Sequence, residues 1–157
     1  MRSFIAIATF IAISVVSFAS CSNTSTSSEV PDDPEVTTIT FDNMGATAYV
    51  TLSIDGDGAS GTLNEENASI SLQVGDRFRF NNTAGASNHP LDFTNSEGEK
   101  LFGQGNSDGL FDDNSEINLE KDGNALTFTL TEELADKLNG YICAFHPGMN
   151  GEISIEQ

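Results

Sequence analysis

Tryptophan is absent from this 157-residue chain, histidine and cysteine occur twice each, and only six Lys and Arg side chains stand against 24 Asp and Glu. Each scarcity removes a class of function. A formal charge of −18 leaves almost nothing to neutralise phosphates, which excludes nucleic acid as a partner. With two histidines there is no second metal centre to assemble, and neither a haem-attaching Cys-x2-Cys-His nor a dinucleotide-binding glycine loop occurs. A redox enzyme, or an enzyme of any kind, is therefore not expected. Gly103 to Asn114 is glycine-rich and acidic but lacks the lysine and spacing of a phosphate loop, so it reads as an ordinary loop. Long apolar runs are scarce too: the single one, Phe4 to Phe18, falls short of the roughly 20 residues a membrane span needs.

That run has its own meaning. A lone Arg2, the apolar stretch, and the small residues Ala19-Ser20 before Cys21 form a signal for export over residues 1–21. A cysteine directly after small residues reads as a lipoprotein cleavage site, which makes Cys21 the lipidated first residue of a membrane-anchored protein facing the periplasm or cell exterior. An ordinary secretory signal is the alternative. Residues 22–35 are rich in Ser, Thr, Asp and Pro and read as a flexible tether. If Cys21 is acylated, Cys143 is the only free thiol and no intrachain disulfide can form. Disulfides are common in exported proteins, so a lone thiol points to a job such as metal ligation.

Without the signal, five cations (Arg77, Arg79, Lys100, Lys121 and Lys137) face all 24 acids, which are scattered along the chain and not gathered in one block. Such a solvated acidic surface suits a high-salt habitat, where self-repulsion is screened; steering of a cationic partner is the other reading.

From Val36 onward, short β-type runs alternate with turn residues: 36–41, 46–54, 68–74, 77–81, 91–94, 117–120, 126–130, 140–144 and 152–156. Seven to nine short strands at this spacing predict an all-β sandwich or barrel, and Ile70-Ser-Leu-Gln-Val74 shows the period of two that turns one face to a core. About 120 residues are enough for one domain, 36–157, expected to be a monomer. Thr131 to Leu138 predicts one short helix, capped by Thr131, with acids in its first turn and Lys137 in its last. Asp55-Gly-Asp-Gly58 lacks the ordered ligands of a calcium loop and reads as a hairpin turn.

The chemistry concentrates in Gly140-Tyr-Ile-Cys-Ala-Phe-His-Pro-Gly-Met-Asn-Gly151, where Cys143, His146 and Met149 put a thiolate, an imidazole and a thioether within seven residues. Taken singly, each is an ordinary core or loop residue. The chain's other histidine, His89, precedes a strand-like segment and Pro90. In a sandwich, a loop after a central strand and the last interstrand loop meet at one end, so the four side chains can converge. Two imidazoles, one thiolate and a weak axial thioether select one mononuclear copper ion of the blue-copper type.

On these residues, the segment from about Phe41 to Gln157 resembles the cupredoxins, and among them the plastocyanin, amicyanin and halocyanin-like group. The resemblance implies a Greek-key sandwich whose copper is held by His89, Cys143, His146 and Met149. The short Cys-x2-His-x2-Met loop is most similar to amicyanin. Many cupredoxins place an Asn after the first histidine, whose backbone N–H donates to the thiolate; here Pro90 has no N–H, and Asn88 precedes the ligand instead. Phe145 stands where amicyanin-like loops often have Pro and can donate. The resemblance further implies transfer of single electrons between a redox donor and acceptor, with His146 as the port amid Phe145, Pro147 and Met44. A copper-buffering or copper-delivering protein is the rival expectation, although few extra Met and His residues exist to serve it.

Overall fold

A computed structural model describes residues 35–157; the expected export signal, Cys21 and all but the last residue of the expected tether lie outside the described residues. Among the described residues, eleven strands form two facing sheets: β1 Val36–Met44, β2 Ala48–Asp55, β3 Ala59–Gly61, β4 Ile70–Gln73, β5 Arg77–Asn82, β6 Leu91–Thr94, β7 Lys100–Gly103, β8 Glu120–Asp122, β9 Ala125–Thr129, β10 Gly140–Cys143 and β11 Asn150–Glu156. One sheet has the order β2-β1-β5-β9-β8 and the other β3-β4-β11-β10-β6-β7. Within them β1 with β5 and β4 with β11 are parallel, and the remaining pairs antiparallel. The expected all-β sandwich is therefore present.

Alternation explains which faces meet. In β1 Ile39 and Phe41 are fully buried while Thr38 and Thr40 are not, and in β4 Ile70 and Leu72 alternate with half-buried Ser71 and Gln73. The core compensates for the missing tryptophan with phenylalanine. Phe80, Phe93, Phe102 and Phe128 pack as edge-to-face or stacked pairs with centroids 4.7–5.9 Å apart, geometry that adds about 0.5–1.5 kcal/mol per pair to simple burial.

The structure corrects several details. Two edge strands lie outside the expected runs: β3 has only three residues, and β7, Lys-Leu-Phe-Gly, is buried at three successive positions and so shows no alternation. The strand expected at 117–120 begins only at Glu120, because Ile117 closes a 3-10 turn, Ser115–Ile117, and drops into the core. The helix α1 spans Glu132–Ala135, with Thr131 Oγ1 accepting from Leu134 N at 3.3 Å. It ends after one turn because Asn139 N donates to Thr94 O and draws the chain into β10. Asp55 to Gly58 is not a hairpin. It carries the chain from β2 in one sheet to β3 in the other, held by Gly58 N donating to Thr37 Oγ1, and the hairpin partner of β2 is β1, through the turn Thr47 N to Met44 O.

Candidate metal centre

Strand register brings the donors together. β10 runs antiparallel to β6 with Cys143 opposite Leu91, so His89, two residues before Leu91, faces the loop that follows Cys143. That loop closes tightly on itself: Met149 N donates to His146 O at 2.9 Å and Cys143 N to Met149 O at 2.8 Å. Ala144 N donates to Pro90 O at 2.9 Å and ties it to the His89 loop. Pro90 thus contributes an acceptor where it has no donor.

Cys143 Sγ lies 3.5 Å from His146 Nδ1 and 4.0 Å from His89 Nδ1, and the three ligand atoms all fall within 4.8 Å of one another. With metal–sulfur and metal–nitrogen bonds of about 2.3 and about 2.0 Å, as for zinc, angles between tetrahedral and trigonal put sulfur and nitrogen about 3.5–3.8 Å apart. The observed separations bracket that range, so the residues fit a metal. Met149, nearby in the same loop, is fully buried, and Cys143 is almost so. The histidines are half-buried. Desolvation, and then the His146 ring beside it, hold the His89 imidazole below its ordinary pKa. That favours the neutral imidazole, the form that ligates.

Compared with known proteins, the chain matches no family model and no curated sequence at a significant level. The site is therefore read from its own geometry.

Around it, the other residues singled out in the sequence take distinct places. Phe145 and Met44 are both 54% exposed, and Pro147 is exposed beside His146. Asn88 is exposed and its N–H closes a turn onto Gly85 O. No charged residue lies between Asp42 and Asp55, between Arg79 and Asp92, or between Lys137 and Glu152. These stretches hold the turn between β1 and β2 and the two loops that carry the candidate ligands. On a chain of formal charge −18 these stretches carry no charge, although Glu65 and Glu66 come just before Asn67, the donor to Gly148 O.

Sequence reasoning missed the residues that hold His89. Its carbonyl accepts two hydrogen bonds, from Tyr49 Oη and Asn82 Nδ2, each at 2.7 Å. Its Nε2 lies 3.4 Å from Asn43 Nδ2. Gln104 Oε1 accepts from Asn82 Nδ2 and Leu91 N, and so joins β5 to the start of β6. The loop carrying Gln104 is anchored by a buried ion pair: Asp92 Oδ1 lies 3.3 Å from Lys100 Nζ and accepts from Gly105 N, while Lys100 donates to Gly105 O and Ser107 O. Tyr49 and Asn82 resemble ordinary strand residues in the sequence, and nothing in their spacing marks them.

Proposed function

We propose that this chain is an exported blue-copper protein that carries single electrons between redox partners. The convergence of His89 Nδ1, Cys143 Sγ and His146 Nδ1, with Met149 buried in the same loop, carries this reading. Thiolate and thioether suit Cu(I), imidazole suits both oxidation states, and the set as a whole is the blue-copper one. Copper bound there supplies reversible one-electron chemistry. Cys143 and Met149 keep water from the sulfur side. The interlocked loops hold the donors in one arrangement, so little has to move when charge changes. His146, between exposed Phe145 and Pro147, offers a route for the electron to a partner, and the stretch 138–151 that presents it carries no ion of its own to desolvate. The similarity to cupredoxins, an anchor on Cys21 and a monomeric state belong to the same proposal.

The test is a visible and EPR spectrum of the chain without its signal, titrated with Cu(II) in high salt. An intense thiolate-to-copper band with narrow hyperfine splitting, lost in Cys143→Ser, is the expected result. Weak colour with tight Cu(I) binding would instead identify a copper-buffering or delivery protein, and absence of binding would reject both.

A further inference from the structure

Two residues of unremarkable sequence, Tyr49 and Asn67, connect the two loops that carry the candidate ligands. Asn67 sits in the left-handed region at φ 53°, a conformation Asn tolerates better than most residues. There its N–H and both side-chain polar atoms are used. Its N–H donates to Tyr49 O at 2.8 Å, its Oδ1 accepts from Tyr49 N at 3.1 Å, and its Nδ2 donates to Gly148 O at 3.0 Å, between His146 and Met149. Tyr49 in turn crosses the sandwich, and its Oη donates to His89 O. Asn67 thus pairs with the outer edge of β2 like a fragment of strand, beside the Val50 to Glu66 bridge and the bond from Asn64 N to Thr51 O.

From this geometry we infer that Tyr49 and Asn67 form a strut that sets the spacing of the His89 loop against the His146 to Met149 loop before any metal arrives. The inference rests on the proposed metal site only in taking these loops to be ligand-bearing; the strut itself is a property of the metal-free fold. Each end is a single hydrogen bond to a loop carbonyl, and both ends converge on one residue pair joined by a backbone bond and by a bond from Tyr49 N to the Asn67 side chain. Loss of either end should loosen one loop locally and leave the core intact. Both are positioning residues, since neither offers an atom to the metal.

The experiment is amide hydrogen exchange by NMR on the full-length, metal-free chain. In Asn67→Asp the acceptor to Tyr49 N is kept and the donor to Gly148 O is lost. The Met149 and Cys143 amides, which close the loop, should exchange about three- to tenfold faster, the range for one modest hydrogen bond, while those of Phe80 and Phe128 stay unchanged. Tyr49→Phe should do the same for the Leu91 amide. Unchanged Met149 exchange would overturn the strut. So would equal acceleration at Phe80 and Phe128, which would make Asn67 a residue of general stability. Cu(II) added to wild type and Asn67→Asp gives the second readout: a shifted ligand-field spectrum in the variant is expected, and identical spectra would show that the strut does not set the site. If wild type takes up no Cu(II) while the exchange pattern holds, the copper reading fails and the strut stands.

Discussion

At the scale of single residues, the candidate donors differ in burial, and the proposed function assigns the dry sulfur donors to holding the ion and His146 to reaching a partner. Cys143 is buried and His146 half-buried. His146→Gly should leave copper bound through the remaining donors yet slow electron exchange with partners, which stopped-flow kinetics would reveal; unchanged exchange would remove His146 from the electron's route. Pro90 lies on the opposite side of the loop contact and gives its carbonyl to Ala144 N. Pro90→Ala supplies an N–H where none existed. If that N–H reaches the thiolate, electron density is withdrawn from sulfur and the reduced ion is favoured. Voltammetry should show a higher potential, and an equal or lower one would count against the idea.

Among the elements, β6, β7 and the loop after them matter more than their shortness suggests. The Asp92 to Lys100 pair is buried at both ends, with side chains 7% and 10% exposed, and stranding one charge there is costly. Lys100→Met should cost about 3 kcal/mol in urea unfolding, and the double change Asp92→Leu with Lys100→Met should recover most of it, because a buried pair seldom outperforms well-packed apolar groups. At α1 the Thr131 hydroxyl satisfies Leu134 N. Thr131→Ala should therefore cost about 1 kcal/mol. Thr131 was recognisable as a cap from the acids that follow it. The brevity of α1 was not, since it depends on Thr94, 45 residues earlier, receiving Asn139 N.

For the whole molecule, charge and burial set the response to solvent. With a formal charge of −18, self-repulsion weakens the folded state at low ionic strength, and salt screens it. The melting temperature should rise between about 0.01 M and about 1 M salt, and a flat profile would contradict a surface adapted to salt. Burial raises the phenol pKa of Tyr141, with a smaller push from Glu65, and burial then the nearby Cys143 raise that of Tyr49. Both phenols are therefore raised above their unfolded value of about 10. Their stabilising effect is complete below about pH 10 and is lost as pH climbs beyond it, because only the unfolded chain releases those protons readily. Urea midpoints at pH 8 and 11 should differ, and the difference should shrink in Tyr141→Phe.

What the sequence alone determined is whatever local spacing encodes. Period-two alternation in Ile70 to Val74 specified strands with one buried face, and the seven residues from Cys143 to Met149 put three donor types in one loop. Tertiary structure decided which strands are neighbours, why Asp55 to Gly58 crosses between sheets, and how close His89 comes to Cys143. It alone revealed Tyr49, Asn67, Asn82 and Gln104. Their bonds join side chains to partners 7 to 81 residues away, most of them across long chain separations. Hydrogen bonds at such distances depend on where the strands pack, and an amide or a phenol leaves no periodic trace in the chain to announce them.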